Sequence, residues 1–99
     1  MRSTIGDVIT HVVMMKMHDP ADRVEAATRL RSLAGQIPEL LSIEVLLDSL
    51  GRPGAYDLVL LSTHSDEAGL LAYLDHPAHH ELIDWLRPRL AERVVVDAQ

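Results

Sequence analysis

Ala72-Tyr73-Leu74-Asp75-His76-Pro77-Ala78-His79-His80-Glu81 is the stretch from which the rest of the chain can be placed. Proline at 77 has its φ already set for a first helical position and lacks an N–H that would be unbonded there. The residue before a proline is pushed out of helical geometry, so one helix ends before Pro77 and another starts on it, with His76 at the cap. On the restarted helix His79, Ile83, Leu86 and Leu90 fall at i, i+4, i+7 and i+11. That spacing sets His79 at the N-terminal end of an inward-facing stripe. Half of the six histidines stand within these few positions, at 76, 79 and 80.

Working back from this break, Ser65 reads as the cap of the preceding helix, with Asp66 and Glu67 in its first turn and Gly69 weakening it. Tyr56 to Thr63 alternates apolar side chains on both faces and reads as a strand; Leu41 to Leu47 reads as another. The turn-rich Asp48-Ser49-Leu50-Gly51-Arg52-Pro53-Gly54 between them makes the pair an antiparallel hairpin. Asp19-Pro20 starts a helix predicted over 20–34. Val24, Ala27, Leu30 and Ala34 mark its buried stripe, and Gly35 and Pro38 end it. Val8 to Met17 is nearly all apolar and reads as a strand greasy on both faces, with His11 the lone polar ring on one of them. Forward from the break, Pro88 kinks or ends the last helix near 91, and Arg93 to Asp97 is a β-branched strand. Residues 1–7 form a short leader, and 8–99 a single domain.

The order β-α-β-β-α-β is the ferredoxin-like α+β arrangement, an antiparallel four-stranded sheet with its helices on one face. The other face is left bare, yet every strand is apolar on both sides. Roughly eight such side chains, at ~1.5 to 3 kcal/mol each when buried, amount to something on the order of 10 to 20 kcal/mol. That rivals the ~5 to 15 kcal/mol net stability of a whole domain. A second copy of the same face, related by a two-fold axis, is the economical cover. The sequence therefore predicts a homodimer whose sheets enclose a barrel.

Composition narrows the function. The 99 residues are 47% apolar and carry a formal net charge of −6, with nine scattered Lys and Arg. That balance disfavours nucleic acid and anionic membrane surfaces. No apolar run approaches the ~20 residues of a membrane span, and a cytoplasmic location is the default expectation. With no cysteine there is no thiolate nucleophile or cysteine-based metal site. Gly51-Arg52-Pro53-Gly54 lacks phosphate-loop spacing, and no Gly-x-Ser-x-Gly elbow occurs. His76, His79 and His80 share a helix face and invite a metal reading. However, His80-Glu81-Leu82-Ile83-Asp84 departs from the His-Glu-x-x-His template at its last position. No metal and no organic cofactor is expected.

Several segments together resemble the stress-responsive A/B barrel (Dabb) family. They are His11-Val12-Val13-Met14-Met15-Lys16-Met17, Ile37-Pro38 leading to Ser42-Ile43-Glu44-Val45, Tyr56-Asp57-Leu58, Tyr73-Leu74-Asp75-His76-Pro77-Ala78-His79 and Val94-Val95-Val96-Asp97. The resemblance implies a dimeric α+β barrel built from ferredoxin-like protomers. It reaches distantly to a plant member, olivetolic acid cyclase, which closes a linear polyketide by aldol condensation without cofactor. That enzyme's Tyr-x-x-His-Pro-Ala-His element matches Tyr73 and His79, and its strand-one histidine matches His11.

The resemblance thus makes His79, Tyr73 and His11 the candidate catalytic residues, with His76, Met15 and Tyr56 as candidate substrate contacts. An imidazole titrating near 6.5 can remove a proton beside a carbonyl, and a phenol can donate to the resulting oxyanion. The ligand class is a small apolar carbonyl metabolite and the reaction a polyketide cyclase-like, lyase or isomerase step. The same groups also read as structural: His79 bonded within a small core, Tyr73 on a rim, His11 satisfied by a carbonyl. That reading makes the protein a noncatalytic stress-responsive or ligand-carrier barrel. A third reading, a barrel oxygenase acting on haem or a quinone, has no second signature in its favour. His18 and His64 lie beside turns and are expected in solvent.

Overall fold

A computed structural model of the protein describes residues 8–99; the leader assigned to 1–7 lies outside the described residues. Four strands, β1 (Ile9–Met17), β2 (Ser42–Leu47), β3 (Leu58–His64) and β4 (Leu90–Ala98), form one sheet in the order β2-β3-β1-β4. All three pairings are antiparallel. Helices α1 (Arg23–Arg31), α2 (Glu67–Leu74) and α3 (Pro77–Leu86) complete a ferredoxin-like α+β protomer, the second helical region being split in two by Pro77.

The period-two pattern of β1 sorts cleanly. Ile9, His11, Val13, Met15 and Met17 are buried beneath the helices, opposite His64, Ser62, Leu60 and Leu58 of β3. These meet Ala26, Ala27, Leu30 and Leu33 from the α1 region and Leu82 and Leu86 from α3 in a single core. On the opposite face Val12 stands in register with Leu61 on one side and Val96 on the other. Met14 likewise lies between Val59 and Val94. Met14, Leu46, Val94 and Val96 are between 41% and 62% exposed in the protomer, so this layer is apolar and uncovered.

Where the structure departs from the sequence reading, local hydrogen bonding explains the shift. Asp19 accepts from the Ala21 N–H and starts a single 3₁₀ turn, Pro20–Asp22, before α1 begins. A 3₁₀ turn advances about 120° per residue where an α-helix advances about 100°. The buried stripe is therefore rotated: Ala26, Ala27 and Leu30 face in, while Val24 and Ala34 face solvent. Helix α1 also stops three residues short of 34, giving way to tight turns with Leu33 bonded to Leu30 and Ala34 to Arg31. The cap of α2 is Asp66 and not Ser65, its carboxylate accepting from the Gly69 N–H at 2.8 Å. At the far end a 3₁₀ turn, Arg87–Arg89, closes α3 around Pro88, so Leu90 opens β4 opposite Met17 instead of extending the helical stripe.

Candidate functional site

Tyr73 is the largest fully buried side chain. It sits in the last turn of α2, and Pro77 restarts the chain so that His79, in the first turn of α3, returns to the phenol ring. Their ring centres are 4.9 Å apart. On its other sides Tyr73 meets His64 at 4.7 Å and His11 at 6.3 Å. One phenol is thus ringed by three imidazoles carried by α3, β3 and β1. A cavity of about 80 Å³ lies here between sheet and helices, walled by His11, Met15, Tyr73 and His79 together with Ile83 and Arg93. A wider recess of about 440 Å³ adjoins it and shares Leu74, His79, Ile83, Leu90 and Arg93.

Hydrogen bonding sets the state of each group. His11 Nδ1 lies 2.5 Å from the Asp97 carboxylate, directly across the β1/β4 pairing. A carboxylate can only accept, so Nδ1 carries a proton and donates to Asp97. His64, expected in solvent, is instead fully buried, because β3 runs one residue beyond Thr63 and its even-numbered positions all face the helices. Its Nδ1 donates to the Glu39 carbonyl at 2.9 Å, and its Nε2 lies 2.9 Å from the Ser62 hydroxyl. Burial lowers its pKa, with the Glu39 bond opposing the shift, so the ring is neutral at pH 7 and accepts the Ser62 proton.

Tyr73 and His79 are different. The Tyr73 hydroxyl and His79 Nδ1 are buried without a hydrogen-bonding partner in the protein. Burial pushes the phenol up to about 12; the Ser62 hydroxyl opposes that rise without reaching hydrogen-bonding geometry. Burial likewise pushes His79 down to about 4, the Leu74 carbonyl opposing and the charges of His80, His11 and Arg93 adding to it. At neutral pH the pair is therefore a protonated phenol beside an uncharged imidazole.

The lowered values have a stability consequence. Between pH 6.5 and about 4 the unfolded chain binds protons at His79 that the folded chain refuses, so stability should fall as pH drops through that window. His64 adds to the fall in the same direction. Discounted for partial exposure of the ring, the His79 contribution is about 1 to 2 kcal/mol. Urea midpoints should be flat from pH 8 to 7 and decline towards pH 4.5, less steeply in His79→Gln. An equal slope in both proteins would contradict the assignment.

Two candidate substrate contacts stand elsewhere. His76 caps α3, its Nδ1 accepting from the Ala78 N–H at 3.0 Å, and does not line the inner cavity. Tyr56 has left the strand and lies on the uncovered sheet face beside Met14, Leu46 and Val59. Among the described residues no cluster of three or more His, Asp or Glu side chains is arranged to hold a metal ion. No helix there is long and apolar enough to cross a membrane. Sequence reasoning missed Ser62, His64 and Arg93; parity with Leu58 and Leu60 was the available signal for the first two, while Arg93 depends on the β1/β4 register that sets it opposite Met15.

A family model for the stress-responsive A/B barrel domain (Dabb) matches residues 9–99. The chain belongs to that family. As an A/B barrel protein it is 36% identical, over 77 residues, to an uncharacterized protein of Streptomyces coelicolor, the match covering 73% of this chain and 79% of the relative. Among solved structures it is similar to a dimeric ferredoxin-like protein of Thermobifida fusca, with 34% identity, a TM-score of 0.80, and 93% and 90% of the two chains covered. The hydroxynitrile lyase of Passiflora edulis shares the fold at 18% identity, with a TM-score of 0.78 and coverage of 93% and 92%. The Dabb protomer thus places its three-imidazole cluster within a fold whose solved relatives include dimers.

Proposed function

We propose that this A/B barrel protein is a homodimer that binds a small carbonyl compound between sheet and helices and moves a proton on it without a cofactor, as in cyclase, lyase or isomerase chemistry. The observation that carries the reading is the orphaned pair: Tyr73 hydroxyl and His79 Nδ1, both buried, unpartnered and on one cavity. Buried polar groups left unpaired cost about 1 to 3 kcal/mol each, so a fold that keeps two side by side is poised for a ligand that would pair them.

In such a complex the phenol donates to the substrate oxygen and His79 accepts the α-proton. With a pKa of about 4 the free imidazole is a weak base. It strengthens as negative charge develops on the oxygen beside it, since an adjacent anion favours the protonated ring. The phenol stays protonated throughout and can stabilise that oxygen. His11, held in place by Asp97, walls the same cavity and orients what enters it. Dimerisation follows from the apolar layer around Val12 and Leu61, and the dimeric relatives support it.

A noncatalytic carrier is the second reading. It is favoured by the small inner chamber, about 80 Å³, with Leu30, Leu60 and Leu86 filling the space around it.

Deuterium exchange at the methyl group of acetophenone in D2O separates the two. The native protein should accelerate it above buffer, and His79→Gln should lose about 10²-fold or more of that acceleration. Binding of the ketone without acceleration, or exchange indifferent to His79→Gln, would leave only the carrier.

A further inference from the structure

Arg93 stands at the junction of the inner cavity and the outer recess, and its position in the sheet explains why. It pairs with Met15 across β1 and β4, so it falls on the helix-covered face while its neighbour Glu92, paired with Lys16, falls on the other. Glu92 acts electrostatically on the Tyr56 hydroxyl on that far side, and it also lines the rim of the recess. Arg87, from the turn after α3, lines the same recess.

The other arginines near the helices are engaged. Arg23 donates to the Asp48 carbonyl, Arg29 pairs with Glu25, and Arg31 donates to the Val45 carbonyl. Arg89 donates to the Trp85 carbonyl while its guanidinium lies over the indole ring at 4.4 Å. Among the described residues, neither Arg87 nor Arg93 has an ion-pair partner. His80, also on the recess, is turned to Asp75 at 3.3 Å. In a chain of net charge −6, two guanidinium groups without an ion-pair partner, against the single carboxylate of Glu92, therefore face one recess that leads to the orphaned phenol and imidazole.

We infer that the outer recess binds an anionic group, so that the ligand is a carbonyl compound carrying a carboxylate or phosphate, anchored by Arg93 and Arg87 while its carbonyl reaches Tyr73 and His79. This rests on the carbonyl reading of the inner cavity and adds a substrate class to it. Guanidinium forks suit both anions, and the recess, at about 440 Å³, holds the larger part of the ligand while the inner chamber takes the reacting end. A neutral ketone reaches the same inner groups without the anchor.

Three probes share one ketone: acetophenone, 4-acetylbenzoate and 4-acetylphenyl phosphate. Titrated into the full-length protein at low salt and followed by NMR, at least one anionic probe should bind ten-fold or more tightly than acetophenone. That advantage, read as the ratio of anionic to neutral affinity in the same protein, should shrink in 0.5 M NaCl and fall to within two-fold in Arg93→Gln/Arg87→Gln. Whichever anionic probe gains more names the anion. Equal affinity for charged and neutral probes overturns the inference, as does an advantage that survives in the double variant, or no binding of any probe up to millimolar concentration. The His79 ring resonances tell the two levels apart. If they shift with every probe but charge makes no difference, the anion site fails and the carbonyl site stands. If the anions bind through the arginines without moving them, the carbonyl site fails.

Discussion

Val12→Asp is expected to convert the protein from dimer to monomer at micromolar concentration while leaving its fold intact. Val12 is the centre of the uncovered layer, on one of the two inner strands, flanked in register by Leu61 and Val96. In a two-fold dimer each copy would press a carboxylate into the apolar surface of the other. An ion moved from water into such a setting without a partner costs several kcal/mol, and the symmetry applies it twice. Every 1.4 kcal/mol is ten-fold in affinity, so the dissociation constant should rise by 10³-fold or more. Within the protomer the change is mild, since the side chains of the flanking His11 and Val13 point to the opposite face and stay buried. Val24→Asp is the control: Val24 is 59% exposed on the outer side of α1 and far from the layer, so that variant should remain dimeric. Light scattering across a concentration series reads both. A native protein that is monomeric, or a Val12→Asp protein that still dimerises at micromolar concentration, would mean that this face is not the interface.

The same layer shows how much of the architecture could be read before any coordinates. The break at Pro77 gives the inward direction of His79, and period-two alternation in β1 sets His11 on one face of its strand, because both are backbone facts tied to local sequence. Phase was harder. Tyr56 has the same sequence parity as Leu58 and Leu60, but strand geometry ends at Asp57. There the Asp57 N–H donates to the Met15 carbonyl and its carboxylate accepts from the Met17 N–H, fastening the turn to β1 beside the register shift at Lys16/Met17. Such a clamp joins residues 40 apart, and nothing in either segment alone announces it. His64 was misjudged in the opposite way. It shares the parity of Leu60 and Ser62, and that parity, not adjacency to the turn at Ser65, decides its place, since an imidazole with two bonding partners is readily buried. The candidate site was legible where it rests on the two elements flanking Pro77, and obscure where it depends on which β3 and β4 residues come to rest beside them.

Replacing Tyr73 should separate the structural from the functional role of this side chain by the sign of the effect. Tyr73→Ala removes a ring that is wholly buried and packed against His64 and His79, and a loss of about 3 to 5 kcal/mol is expected, as for other large-to-small core changes. Tyr73→Phe keeps the ring and removes only a hydroxyl that finds no partner in the protein. Because an unpaired buried hydroxyl is a cost and not a support, stability should be unchanged or higher by up to about 1 kcal/mol. Acetophenone exchange, in contrast, should fall by about 10²-fold, the loss typical of removing one donor to a developing oxyanion. A hydroxyl kept for architecture would give the reverse pairing: chemical denaturation of the Phe protein would show a loss above about 1 kcal/mol, with whatever reactivity exists preserved. The expected combination, a variant at least as stable but less reactive, arises only if the fold tolerates an unsatisfied phenol for the sake of what enters the cavity.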